Sequence, residues 1–309
     1  MDYSLFFNHL SLPASGEEEA YSLLIDSFQG VLNLNQNQDR FFLYFDGASL
    51  DDCKLSEGFT YSDFKSRLSD QSEIDLLTFI YEIEDKSPLL DRLSAELTDE
   101  LSRISSYFQD RPYNSNLDIF TIAWLENGTM FSLATEKFWQ NHIITFFSRR
   151  EGEHEPFRCE VCNISEREHA DFIMDAIESK PWDVCCSAIF TDNFMNWYEE
   201  CKKEDQDKIK NKLRHCCENN FQFGRPLIDT LSDSRFPNMK EIRIGNAHAQ
   251  SGKIRILFAI TPNRTPAILN GFIKHSNDYT EYIEIADNLF VKVCTKEKLR
   301  FPKNIPSSS

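Results

Sequence analysis

Four side chains in the C-terminal third have the properties needed to bind a phosphate group and to transfer a proton. Arg243 and Arg255 each lie between two isoleucines, and Lys274 and His275 follow the apolar run ILNGFI. Arginine binds two phosphate oxygens at once and stays charged, whereas histidine exchanges protons near neutral pH. When a 2′-OH attacks the adjacent phosphate, fixed cations stabilise charge on the phosphoryl oxygens and a proton donor serves the leaving oxygen. These residues are therefore candidates for phosphoryl-transfer chemistry.

The alternation of side chains along a β-strand decides whether the two arginines can act together. Each arginine points away from its flanking isoleucines, so both guanidinium groups share a face if their strands pair as a hairpin. Lys240 and Lys253 lie near them in the sequence and could assist. Without a further signal, such arginines are more typical of a solvated strand face, and Arg243 could instead form an ion pair with Glu241.

Short connections between three apolar segments predict an antiparallel meander with strands at 239–245, 252–260 and 266–274. Apolar residues at helical spacing predict a long helix over 192–220 before it, with Asp192 as the N-cap. Residues 282–293 are expected to close the domain, either as a helix or as a short extended segment packed on the sheet.

Residues 239–290 resemble the RelE/HigB superfamily of bacterial toxins, in particular its phage-derived HigB-like branch. KEIRIG is similar to the family's Glu-Leu-Arg strand, and GKIRILFAI is similar to the next strand, which carries one arginine. ILNGFIKH is similar to the strand that ends Gly-Phe-x-Lys-Lys, with His275 in place of the second lysine. The family's Thr-Pro and Glu-Ile-x-x-Ala appear as DYTEYIEIA, without the proline. The resemblance does not extend to residues 1–186.

Members of this superfamily are ribosome-dependent mRNA endonucleases. The resemblance implies an α+β fold whose C-terminal domain has a helix packed on a small antiparallel sheet. It implies a toxin of a toxin–antitoxin or phage-defence system that needs no cofactor and whose partners are the ribosome, mRNA and a cognate antitoxin. Arg255 would be the main phosphate clamp, His275 the general acid or base and Lys274 its electrostatic support. The RNA-binding residues would be Lys240, Arg243 and Lys253.

A different function stays open, because ParE-like relatives share the fold, act on DNA gyrase and do not cut RNA. The chain could therefore be a non-nuclease binding toxin, or a regulatory protein that has lost catalysis. The joint presence of Arg255, Lys274 and His275 favours cleavage.

The length of 309 residues predicts two domains. Residues 191–309 hold 19 Lys and Arg against 15 Asp and Glu, a net charge of +4. Because the whole chain has a net charge of −17, residues 1–190 have a net charge of −21. This asymmetry suggests a domain that faces nucleic acid joined to one that repels phosphate. We expect an acidic mixed α/β domain over 1–186 with a possible sensor or inhibitory role, a toxin domain over 187–300 and a flexible tail over 301–309.

Within the acidic domain, helical spacing predicts helices over 16–32 and 87–108 and a further helix after residue 165. The Asn-Gly pair at 127–128 predicts a hairpin over 117–134. Further strands are predicted at 40–46, 142–148 and 157–165.

Composition excludes several classes of protein. A hydrophobic fraction of 41% with 26 Phe is typical of a globular chain. The sequence has no apolar run long enough for a membrane span, and its first twenty residues lack a basic leader and a long apolar run, so we expect neither a membrane span nor a secretory signal. Nine cysteines, an odd number, favour the reducing cytoplasm over a disulfide framework. Zinc is a weak alternative: His154, Cys159, Cys162 and His169 are of the right types, but on a strand the two cysteines would point to opposite faces.

Overall fold

The computed structural model describes residues 2–297 except for 36–38, 48, 72, 85–97, 100, 110–116, 153–155, 223–226, 248–251 and 277–278. The predicted tail, residues 301–309, lies outside the described residues. The chain divides into two compact units, Met1–Glu178 and Ser179–Ser309. Helices and several sheets occur together, so the chain is a mixed α and β protein. Of the helices in the described ranges, none is long and apolar enough to cross a lipid bilayer.

The N-terminal unit is built on a six-stranded mixed sheet with the strand order β2-β1-β6-β8-β7-β5. Strands β1, β2, β6 and β8 are parallel, and β7 runs antiparallel to both β8 and β5. Its elements are β1 (Asp2–Phe7), α1 (Glu17–Leu34), β2 (Arg40–Tyr44), β3 (Lys54–Ser56), β4 (Phe59–Thr60), α2 (Tyr61–Asp70), α3 (Ile74–Ile83), β5 (Ile104–Tyr107), α4 (Asp118–Glu126), β6 (Thr129–Phe131), β7 (Ile143–Arg150), β8 (Phe157–Ile164) and α5 (His169–Glu178).

Buried polar side chains join the carboxyl ends of the parallel strands β1, β6 and β8. Asn8 Nδ2 donates to Ser132 Oγ at 2.9 Å, and Ser132 Oγ donates to Asn163 Oδ1 at 2.6 Å. Asn163 Nδ2 donates in turn to the backbone oxygen of Trp139 at 2.8 Å. Because all three side chains are fully buried, each depends on its neighbours for hydrogen bonds that water cannot supply.

We expect Ser132→Ala to lower the free energy of unfolding by about 1–3 kcal/mol, because both asparagines lose a buried partner. Urea-induced unfolding followed by circular dichroism measures this change. Ser66→Ala is the control: Ser66 is an exposed helical serine, so its removal should change stability by no more than about 0.5 kcal/mol. Equal stability of Ser132→Ala and Ser66→Ala would contradict the importance of the network.

Two predictions for this unit are wrong. The run over 118–126 forms helix α4, not the first strand of a hairpin. Asn127, with φ of 59°, caps the helix, and the N–H of Gly128 donates to the carbonyl of Ala123 at 2.8 Å. Helix α4 is buried on nearly all sides, so the apolar residues in its sequence do not recur at helical spacing. Within the predicted helix 87–108, residues 104–107 form strand β5, which pairs with β7; much of the remainder lies outside the described residues.

The C-terminal unit contains a five-stranded sheet with the order β10-β11-β12-β13-β9. Its elements are α6 (Pro181–Val184), β9 (Ile189–Phe190), α7 (Asp192–Glu200), α8 (Lys203–Glu218), β10 (Ile228–Thr230), β11 (Met239–Asn246), β12 (Lys253–Ile260), β13 (Pro266–Lys274) and α9 (Thr280–Lys296). The predicted antiparallel meander is confirmed in β11, β12 and β13. The last element is a helix.

The predicted long helix over 192–220 is two helices. Cys201 and Lys202 separate α7 from α8, since both have extended backbones with ψ near 150°. The predicted N-cap is also one residue off: Thr191, not Asp192, accepts a hydrogen bond from the N–H of Phe194 through its side chain. The Thr191 hydroxyl precedes the first turn of α7, so it accepts a hydrogen bond from a backbone N–H that has no partner within the helix.

Helices contact β13 from both faces of the sheet. Leu269 belongs to a core that includes Phe290 of α9. On the other face, Gly271 lies against the ring of Trp197 in α7, so close that an added Cβ would come within 2.0 Å of it. Only a residue without a side chain allows this approach of α7 to the strand.

Candidate functional site

The register of the three central strands brings four cationic side chains to one face of the sheet. Arg243 lies directly opposite Arg255, and Lys253 lies directly opposite Lys274. We call these four residues the cationic face. They share the side of the sheet that α9 partly covers. The prediction that the two arginines share a face is confirmed.

Lys240 does not belong to the cationic face. It follows Met239 and precedes Glu241 on β11, so its side chain points to the opposite side of the sheet, and its partner on β12 is Phe258. Alternation along the strand is the physical reason. Lys240, predicted as an RNA-binding residue close to the arginines, is therefore not brought together with them.

The carboxylate of Glu241 lies within the cationic face. Its Oε1 is 3.7 Å from Arg243 Nε and 3.8 Å from Arg255 Nε. Its Oε2 accepts a hydrogen bond from the phenol of Tyr279 at 3.2 Å. Glu241 is only 5% exposed. A buried carboxylate with several partners fixes the cations around it.

Arg255, which the resemblance implies to be the main phosphate clamp, is buried. The residue is 3% exposed, and its Nη1 donates to the backbone oxygen of Ile254 at 2.8 Å. It lies on the central strand β12, with Arg243 on one side and Phe272 on the other. A ligand that arrives at the surface therefore meets Arg243, Lys253 or Lys274 before it meets Arg255.

Lys274 and Tyr279 contact each other at the edge of the cationic face. Lys274 Nζ lies 4.4 Å from the centroid of the Tyr279 ring. Burial lowers the pKa of Lys274, and Arg255, Arg243 and Lys253 lower it further, whereas Glu241 opposes them. Burial and the Glu241 carboxylate raise the pKa of Tyr279 to about 12. The phenol is therefore a hydrogen-bond donor throughout the physiological pH range.

His275 is exposed directly after β13. Its Nδ1 lies 3.0 Å from the point that a Cβ on Gly252 would occupy, so the imidazole is beside the first residues of β12. This places it at the end of the sheet where Lys253 pairs with Lys274. An imidazole next to fixed cations can transfer a proton to or from a substrate that these cations hold.

The possible ion pair between Arg243 and Glu241 is present, but sequence reasoning missed Tyr279 and the contact of Glu241 with Arg255. Glu241 entered only as a possible partner of Arg243, although residues two apart on a strand share a face and the spacing signals the contact. Tyr279 carries no local signal, because its approach to Glu241 depends on where α9 begins.

No three His, Cys, Asp or Glu side chains converge to hold a metal ion in the part of the chain that the structure describes. Cys159 Sγ donates to Ser148 Oγ at 3.4 Å, whereas Cys162 packs against the hydrophobic core that includes α1. The two thiols thus leave opposite faces of β8. His154 lies outside the described residues.

Comparison with known proteins supports the resemblance seen in the sequence. Residues 196–291 match the family model described as "Phage derived protein Gp49-like (DUF891)". Two similar proteins come from Mycobacterium tuberculosis (strain ATCC 25618 / H37Rv). "Putative toxin HigB2" is 31% identical over 99 residues, which cover 31% of this chain and 48% of the relative. "Putative toxin HigB3" is 43% identical over 68 residues, which cover 21% of this chain and 55% of the relative.

The chain spans about half the length of these curated relatives. No solved structure matches it with comparable significance. The family match covers the α7-to-α9 region and includes the whole cationic face. Residues 196–291 are thus similar to Gp49-like phage-derived proteins, and part of the chain is similar to two proteins described as putative HigB toxins.

Proposed function

We propose that the C-terminal unit is the toxin of a toxin–antitoxin or phage-defence system and that it cleaves mRNA on the ribosome without a metal ion. The observation that carries the proposal is the cationic face, which collects four cations from two antiparallel strand pairs in a chain that is similar to two putative HigB toxins. The packing of α9 on the meander is, in this proposal, the RelE-like arrangement. The partners would be the ribosome, mRNA and a cognate antitoxin in the cytoplasm.

The proposed mechanism uses the accessible cations to bind the scissile phosphate and the phosphates next to it. The Arg243 side chain is 32% exposed, and Lys253 and Lys274 are partly exposed. Their charges would stabilise the phosphoryl oxygens as the 2′-OH attacks. His275 would move the proton, either from the 2′-OH or to the 5′ leaving oxygen. Arg255 would act from below the surface, by holding Glu241 and by adding positive potential.

Glu241 would hold the side chains of the cationic face in place before a substrate binds. Four cations at neighbouring strand positions repel one another, and a carboxylate among them offsets that repulsion before any substrate arrives. Because Glu241 contacts both arginines, their side chains need little rearrangement when a phosphate binds. Fixed charges of this kind stabilise a transition state more than mobile ones do.

Binding through phosphate contacts should be sensitive to salt. If Arg243, Lys253 and Lys274 neutralise about three phosphates of single-stranded RNA, raising salt from about 50 to about 200 mM should weaken binding about 20-fold. Fluorescence anisotropy of a labelled oligoribonucleotide measures this dependence. Lys253→Ala should flatten the slope of log affinity against log salt, whereas Lys240→Ala, on the other face, should leave it unchanged. Equal slopes for wild type and Lys253→Ala would contradict the assigned binding face.

The proposed function is tested by induced expression followed by mapping of mRNA 5′ ends. Wild type should give cuts in phase with codons, and Arg243→Ala should remove them. Arg243 is the suitable position because it is partly exposed. Intact mRNA in cells that stop growing would contradict the nuclease proposal.

The burial of Arg255 favours one second candidate, a binding toxin of the same fold that does not cut RNA, as expected for ParE-like relatives. The two candidates differ in the same experiment. Induction of the SOS response with intact mRNA would indicate gyrase poisoning, and cleaved mRNA without that response would indicate the nuclease.

We further propose that the acidic N-terminal part restrains the toxin. The support is the charge division, −21 before residue 191 and +4 from there on, which favours attraction between the two parts. Removing residues 1–186 should increase toxicity on induction, provided that circular dichroism shows the shortened chain to be folded. Unchanged or reduced toxicity of a folded fragment would contradict restraint.

A further inference from the structure

Tyr279 is held in place by the start of α9. Its backbone carbonyl accepts hydrogen bonds from the N–H of Tyr282 at 3.0 Å and of Ile283 at 3.3 Å, so Tyr279 is the N-cap of the helix. Ile283 is buried in the core between the helix and the sheet. The position of the Tyr279 ring over the sheet is therefore set by helix packing and does not depend on a ligand.

The ring of Tyr279 lies over two alternate residues of β13. Its centroid is 5.6 Å from that of Phe272, and Lys274 Nζ lies 4.4 Å from it. A cation over an aromatic face is attracted by the ring quadrupole. The ring thus gives the Lys274 ammonium a defined position at the edge of the cationic face.

The phenol of Tyr279 and the two arginines lie near different oxygens of the Glu241 carboxylate. Oε2 of Glu241 accepts the phenolic hydrogen, while Oε1 faces Arg243 and Arg255. Both carboxylate oxygens therefore have partners other than Lys274. Glu241 nevertheless attracts the Lys274 ammonium, since it is the group that raises the pKa of this lysine.

We propose that Tyr279 is a positioning residue of this site: its phenol keeps Glu241 directed at the arginines, and its ring keeps the Lys274 ammonium available to the substrate phosphate. The inference rests on the proposed nuclease function. Without the phenol, Oε2 of Glu241 is free to turn towards Lys274 and neutralise it. Without the ring, the ammonium also loses its fixed position.

Two substitutions separate these contributions. Tyr279→Phe keeps the ring and removes the hydrogen bond, and Tyr279→Leu removes both. In the full-length chain, with mRNA on ribosomes as substrate, we expect Tyr279→Phe to lower kcat about tenfold with KM within about twofold. Tyr279→Leu should in addition raise KM about threefold or more. The matched control is Tyr282→Phe, because the Tyr282 ring stacks on Phe272 and is 38% exposed; its kinetics should equal those of wild type.

A double substitution distinguishes positioning from a general loss of structure. In a Glu241→Gln background, Tyr279→Phe should have no further effect on kcat, since the carboxylate it directs is gone. The same tenfold loss in both backgrounds, or wild-type kinetics for Tyr279→Phe, would overturn the proposal.

A titration keeps the inference testable if wild type does not cleave RNA. NMR of the full-length chain with ¹³C-methylated lysines, assigned with Lys274→Arg, reports the pKa of Lys274. Tyr279→Phe should raise it, because Glu241 then pairs with the ammonium, while Arg243, Lys253 and Arg255 act on it as before. An unchanged pKa would overturn the positioning role. A wild type that fails to cut while this pKa rises would overturn the nuclease function alone.

Discussion

Arg255→Ala is expected to lower the free energy of unfolding of the C-terminal unit by about 3–5 kcal/mol. The substitution removes a buried guanidinium and leaves the Glu241 carboxylate, 5% exposed, with one cation fewer in a poorly solvated position. Hydrogen exchange of the β12 amides measures the loss, because these amides lie in the central strand and exchange only when the sheet opens.

The control for this prediction is Lys253→Ala on the same strand. Lys253 is partly exposed, so its removal should change stability by no more than about 0.5 kcal/mol. Protection factors of Arg255→Ala that equal those of Lys253→Ala would show that the ion pair does not support the fold. Loss of toxicity in Arg255→Ala would therefore report a damaged sheet as readily as damaged chemistry. Arg255→Lys, which keeps the charge, is the better probe of electrostatics.

If the proposed nuclease function holds, His275→Ala is expected to lower kcat for mRNA cleavage about 10²- to 10⁴-fold, the range typical of a lost proton-transfer group. The imidazole is exposed at the end of β13, so the fold should be intact. RNA affinity should stay within about twofold, because Arg243, Lys253 and Lys274 remain. Single-turnover cleavage of ribosome-bound mRNA measures the chemical step separately from product release.

His142→Ala is the matched control, since His142 is an exposed histidine of the N-terminal unit and should leave kcat unchanged. A wild-type rate in His275→Ala would remove the imidazole from the chemistry. The remaining candidates for proton transfer would then be Glu241 and Lys274, which the same assay on Glu241→Gln and Lys274→Met can rank.

Strand alternation and short connections were sufficient to predict the meander and the shared face of Arg243 and Arg255. Both depend on contacts between neighbours in sequence, where the period of two is decisive. The same rule, applied to Lys240, shows that a residue three positions from Arg243 must face away. Closeness in sequence was therefore the wrong criterion for Lys240.

The burial of Arg255 and the role of Tyr279 could not be predicted in the same way. Arg255 lies in the central strand of five, and Tyr279 at the start of α9 contacts Glu241 and Lys274 on the same face of the sheet. Packing between elements that are distant in sequence cannot be predicted from the residues on either side of an arginine. Helix α4 shows the opposite problem, since its burial on nearly all sides removes the apolar period by which a helix is recognised.

The close approach of Trp197 to Gly271 has a consequence for genetics. The same strand presents Phe272 and Lys274 to the proposed site on its other side, and any side chain added at position 271 must displace the Trp197 ring of α7 or the strand itself. Screens for survivors of induced expression should recover substitutions at Gly271 as often as at the charged positions. The recovery of a non-toxic variant in such a screen would therefore not show that the substituted residue contacts RNA.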